Sequence, residues 1–166
     1  MSYARTFLGE FDHEMQTTRT LLERVPEARG DWKPHPKSHS LGSLANHLAF
    51  LPSFAEMVMT STERDARSPM TGRPSSFEST AKLLELFDGC VARGRAAVEA
   101  ASDEDFRVPW TFSIGGKTIF TLPRGAALRS FVMNHFIHHR GQLTVYLRLN
   151  DVPLPSIYGP TADEPM

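Results

Sequence analysis

The stretch Asn134-His135-Phe136-Ile137-His138-His139-Arg140-Gly141-Gln142-Leu143 carries three of the seven histidines of the chain within five residues. It sits in a longer apolar-periodic segment that reads as helix from Pro123 to Leu149. On a helix, residues four apart stack on one face. The spacing therefore points His135 and His139 the same way, close enough for both imidazoles to grip one cation. His138 is rotated onto the flank. One helix can supply two such ligands, and a metal site needs a further group from elsewhere in the chain.

Upstream, three more segments carry helical periodicity. Phe7, Phe11, Met15, Thr18 and Leu22 mark a helix over residues 3–24. His13, among Glu10, Gln16 and Thr17, falls on its polar side as a solvated histidine. Pro26, Gly30, Pro34 and Pro36 then forbid continuous helix, and Trp32 in this loop is placed to plug the end of the core. His35 and His39 lie in the same broken stretch, as exposed residues or as ligands. Ser40 is an N-cap for a second helix from Leu41 to Thr60, kinked at Pro52, whose missing N–H cannot reach the Leu48 carbonyl. Leu44, His47, Leu48, Leu51 and Phe54 share a face of it. His47 is thus either a core histidine satisfied by the backbone or the missing ligand.

Residues 61–76 read as a loop over the site. Ser75-Ser76-Phe77-Glu78 has capping-box spacing and starts a third helix running to Ala101, with Phe77, Ala81, Leu84, Val91 and Val98 inward. Gly89 and Gly94 allow another helix close. Cys90 falls on an apolar face with Leu83, Leu86, Phe87 and Val91, as a small buried hydrophobe. Val108, Trp110, Phe112 and Ile114 alternate with polar residues ahead of Gly115-Gly116, a β-hairpin signature whose apolar face must lie on the bundle or on a partner. Pro123 opens the fourth helix. The tail, with Val152, Leu154, Ile157 and Tyr158, packs back onto the domain.

The expected fold is all-α: one domain over residues 1–166, a four-helix bundle with a small β-hairpin between helices 3 and 4. A net charge of −1 gives no electrostatic case for nucleic acid or an anionic membrane. The amino terminus lacks a signal-peptide apolar run, and a single cysteine builds no disulfide framework, so the expected location is cytoplasmic. His47, His135 and His139 form a candidate three-histidine set with an open coordination position, the pattern of a catalytic metal site. Imidazole suits zinc, nickel, iron or copper rather than magnesium or calcium. On the same residues, partly exposed or satisfied core histidines are the competing account.

At these positions the chain resembles the DinB/YfiT-like superfamily over nearly its whole length. The pieces that carry the likeness are Asn134-His135, His139-Arg140-Gly141-Gln142-Leu143 and Tyr146-Leu147-Arg148. Trp32-Lys33-Pro34, Ser40-Leu41, Asn46-His47-Leu48-Ala49 and Ile157-Tyr158-Gly159-Pro160 support it. The resemblance implies a four-helix bundle, commonly a homodimer, with a divalent metal on His47, His135 and His139, zinc or nickel foremost. It leaves His138 a neighbour of the ligands. It implies an enzyme acting on a small-molecule substrate, either a transferase or isomerase using a low-molecular-weight thiol cosubstrate or a metal-dependent hydrolase. A non-catalytic metal-binding dimer, acting as scaffold or sensor, is the alternative. Gln142 is expected either to bond a metal water or to sit at a helix interface. For Arg140 the choice is between an anion contact and a surface or dimer salt bridge.

Overall fold

The computed structural model describes residues 2–165. Its first helix, α1 (Tyr3–Leu22), is capped by Ser2, whose side chain accepts from the Arg5 amide. Phe7, Phe11, Met15 and Leu22 of the expected stripe are buried along it. The loop after it brings Trp32 edge-on to Tyr146, 5.7 Å between ring centroids. Ser40 caps α2 (Leu41–Phe50) by accepting from the Ser43 amide. The chain breaks at Leu51-Pro52 and resumes as α3 (Ser53–Thr60), as a proline without an N–H requires.

Residues 61–79 are not wholly loop. Glu63–Asp65 form β1, which pairs parallel to β2 (Pro109–Ile114) and turns the expected hairpin into a three-stranded sheet, β1-β2-β3, with β3 at Lys117–Pro123. No apolar alternation marks Glu63-Arg64-Asp65. What fixes the strand is the Asp65 carboxylate, which accepts from the Gly115 and Gly116 amides at 3.0 and 2.7 Å. Both glycines have positive φ, 59° and 79°, as the tight hairpin turn demands. Four hydrogen bonds, led by those of the Gly116, Arg67 and Gly115 amides, pull the Asp65 carboxyl down to about 2.

The third helix, α4 (Thr80–Glu99), is capped by Ser79 and not by Ser75. The capping box at 75–78 does not form because the segment is pinned in place. Phe77 packs on Gly42 so closely that a Cβ there would lie 2.5 Å from the Phe77 Cβ, and Thr80 bonds back to Glu27 and the Val25 carbonyl. The buried stripe is Leu83, Phe87, Cys90, Gly94 and Val98, and Ala81 is exposed. Gly94 is where α4 meets the α2–α3 break, since a Cβ on it would sit 2.4 Å from the Pro52 carbonyl oxygen. Gly89 has no such close neighbour.

The last helix is interrupted. It runs as α5 (Arg124–Ala127), a π-helical segment (Leu128–Met133) and α6 (Asn134–Arg148), with helical backbone angles at both junctions. Hydrophobic residues of all these elements join one cluster, against which Val152, Leu154 and Ile157 of the tail pack. Arg140 does not lie at the surface. It is 2% exposed and ion-paired at 2.5 Å to Glu14 of α1, itself buried. Its guanidinium also donates to Thr18 Oγ1 and to the Tyr158 hydroxyl, which in turn donates to Glu14. The centre of α6 is therefore tied to α1 and to the tail by charge as well as by hydrocarbon.

A buried ion pair is costly to break from one side. Arg140→Met strands the Glu14 carboxylate in the core and is expected to lower unfolding free energy by about 3–5 kcal/mol. The double variant Glu14→Leu/Arg140→Met is expected to recover most of that. Urea denaturation of both variants checks it.

Candidate metal centre

Two elements converge at the site. His47 comes from the last turn of α2, on the edge of the Leu44/Leu48/Leu51 stripe, all three of which are buried. His135 and His139 come from the first two turns of α6. One ring nitrogen from each of the three lies within 4.8 Å of the others, and all three residues are half-buried. Among the described residues this is the one such group of His, Cys, Asp or Glu side chains. The expected trio is thus brought together. His35, His39 and His138 do not join it, and His13 is exposed on α1. The His39 Nδ1 instead faces Ser43 Oγ at 3.2 Å, and the exposed His138 stacks edge-on beside His139.

The donor geometry suits a small cation. His47 Nε2 and His135 Nε2 face each other at 3.3 Å. Two nitrogens on a tetrahedral ion with ~2.0–2.1 Å bonds stand about 3.3 Å apart. The third ring is oriented by Gln142, whose Oε1 lies 2.7 Å from His139 Nδ1. With that oxygen as acceptor the proton sits on Nδ1, leaving the Nε2 lone pair for the cluster. Gln142 is therefore a partner of one of the three histidines, a role its spacing of three residues from His139 allowed but did not single out. His47 has no comparable partner. Its Nδ1 is buried without a hydrogen bond, so packing and the Nε2 contact with His135 set that ring.

The electrostatics favour neutral imidazoles. Burial first, then repulsion from His139 and His135 and from the charges of Arg73 and His39, pushes His47 down to about 3. Burial, then His139 and His138, pushes His135 down to about 4. Burial lowers His139 too, partly opposed by its bond to Gln142. Neutral imidazole is the form that donates to a metal. Three nitrogens of this kind fit a zinc- or nickel-class ion and leave a position unfilled by protein.

The surroundings are asymmetric. On the side of His135, Phe54 and Phe131 stack at 5.7 Å, and each ring centroid lies about 6 Å from that of the histidine. Phe131, in the π-helical segment, also meets Phe112, Phe120 and the fully buried Trp110 of the sheet. The sheet thus backs an aromatic wall. On the other side, His47 lines a cleft of about 630 Å³ with Ser43, Asn46, Met70, Arg73 and Ser76. Asn46 Nδ2 donates to the Ser76 carbonyl at 2.8 Å and holds the end of the 61–79 segment over this cleft. Neither the contribution of Arg73 nor that of Asn46 was evident from sequence spacing.

Residues 10–143 match the sequence pattern of the DinB superfamily. The chain belongs to that superfamily. The protein YrdA of Bacillus subtilis (strain 168) is 44% identical over 160 residues, spanning 95% of this chain and 89% of the relative. The crystal structure of the DinB-like protein YjoA of Bacillus subtilis superposes with a TM-score of 0.69 at 20% identity, over 92% of this chain and 96% of that one. A DinB-like protein of Bacillus cereus ATCC 10987 gives 0.68 at 20% identity, over 92% and 95%. These superpositions establish the shared fold. Membership and the histidine cluster are together compatible with metal binding.

The depressed histidines have a consequence for the metal-free protein. Unfolded imidazoles titrate near ~6.5. Between that value and about 3 for His47, the unfolded chain binds more protons than the folded one. Their contribution is fully present above the unfolded value and is lost as pH falls toward the folded one. The melting temperature of chelator-treated protein is expected to drop as pH is lowered from 7 toward about 4, and His47→Leu is expected to flatten that slope. Scanning calorimetry across the range checks it.

Proposed function

We propose that this chain is a divalent-metal-dependent enzyme in which His47, His135 and His139 hold a zinc or nickel ion and leave a coordination position open to a small molecule. The observation that supports it is the convergence of three half-buried, neutral imidazole nitrogens beside a cleft. A bound ion would supply Lewis-acid chemistry, making a thiol or water a stronger nucleophile at neutral pH. The protein's own groups do the rest. Gln142 fixes the His139 tautomer, and the Phe54–Phe131 wall keeps water from one flank. The cleft beside His47 admits the nucleophile and a small electrophilic substrate. Among the described residues no carboxylate joins the histidine cluster, which favours a nucleophile that needs little help in losing its proton. A low-molecular-weight thiol meets that condition better than water does.

No helix among the described residues is long and apolar enough to cross a membrane. We place the protein in a reducing cytoplasm, where the buried Cys90, its thiol pushed up mainly by burial, is inert. A homodimer is part of the same proposal. Val145 in the last turn of α6 and Leu149 at its C-cap, 56% and 57% exposed, are apolar surface that a second copy would cover.

Elemental analysis of purified protein is expected to give one zinc or nickel per chain, reduced to a trace in His47→Ala. Metal-loaded protein is expected to accelerate the reaction of a small thiol with an electrophile, and His135→Ala to lose that acceleration. Equal rates in the two would remove the catalytic claim and leave a metal clamp between α2 and α6. Sedimentation equilibrium is expected to show a dimer that Val145→Lys dissociates.

A further inference from the structure

The cleft beside His47 has a chemical bias that the histidines do not explain. Its lining is rich in hydroxyl groups, and its charged members are Asp31 and Arg73. Many arginines of the chain are committed to carboxylates, as Arg19 is to Asp88, Arg95 to Asp12 and Arg140 to Glu14. Arg73 has neither an ion pair nor a side-chain hydrogen bond within the described residues. Two local backbone constraints bracket this exposed residue. Gly72 before it takes φ of 80°, and Pro74 after it restricts Arg73 to extended conformations. The segment is tied on one side by Arg64, which donates to the Pro69 carbonyl, and on the other by the Asn46–Ser76 bond.

The helix-terminal amides next to the cleft are already used. The first amides of α2 are all bonded: Leu41 to the Trp32 carbonyl, Gly42 to the Gly30 carbonyl and Ser43 to Ser40 Oγ. The opposite flank of the histidines is the Phe54–Phe131 wall, where a charge would lose its hydration without a partner. An uncommitted guanidinium at the wall of a polar cleft is a ready partner for a carboxylate, which it can engage through two parallel hydrogen bonds.

We infer that Arg73 is the specificity-determining residue of this site and binds the carboxylate end of a small thiol whose sulfur reaches the three histidines. This rests on the metal and thiol roles proposed above and adds the charge class of the cosubstrate and the residue that selects it. Asp31 on the same lining disfavours a ligand with several negative charges, so the preferred ligand is a monoanion apart from its sulfur.

The test uses the full chain loaded with cobalt(II), whose sulfur-to-metal charge-transfer absorption reports a thiolate at the site. The probes are 3-mercaptopropionate and 2-mercaptoethanol, matched in thiol chemistry and different in charge. The wild-type protein is expected to bind the carboxylate thiol on the order of tenfold more tightly. Arg73→Gln is expected to erase that preference, and Arg73→Lys to keep part of it. The cobalt ligand-field bands of each variant show that the site is intact. Equal affinities in the wild type, or a preference that survives Arg73→Gln, would overturn the role of Arg73 while leaving the thiol chemistry standing. No charge-transfer band with either probe would sink the thiol reading itself, and the assignment of Arg73 with it.

Discussion

Three imidazoles within 4.8 Å of one another resist protonation together, and their burial in the fold lowers the pKa of each. Burial is the largest influence on each of them, and their mutual repulsion adds to it at His47 and His135. Keeping three basic nitrogens close and uncharged needs rigid supports on both sides. Those supports are the α2–α6 contact and the Arg140–Glu14 ion pair one residue beyond His139. The same pair leaves the α6 core depending on a charge in the interior.

The helices and the histidine set were legible because both follow from short-range periodicity. His135 and His139 share a face whatever surrounds them, and the Leu44/Leu48/Leu51 stripe turns His47 inward. The hairpin was legible from alternation and its two glycines. What the sequence hid depends on contacts between residues far apart along the chain. Asp65 recruits β1 by capturing amides about fifty positions away, and no local pattern in Glu63-Arg64-Asp65 announces a strand. Phe77 cancels a well-formed capping signal because the space above Gly42 is available to it. Arg140 follows an exposed-looking run of polar residues, and only the position of Glu14 on α1 makes it interior.

The π-helical turn falls in the same category. Leu128–Met133 carries no proline or glycine to mark it, yet only Asn134 separates it from His135. Such segments recur at functional sites, where an inserted residue re-aims the side chains around it. Here it presents Phe131 to the sheet aromatics and to His135 at once. The aromatic wall is therefore a joint product of an irregular helix and the small sheet, and neither alone would close that flank.

Among the described residues the sheet also ends in a strand with a single partner. β3 pairs with β2 alone, so one row of its backbone donors and acceptors faces outward beside the half-exposed Ile119. Open edges of this kind invite pairing with another chain. This one is poorly suited to extension, because Lys117 begins it with a charge and Pro123 ends it without an N–H to offer. The strand that backs the aromatic wall is in this way discouraged from seeding intermolecular sheet.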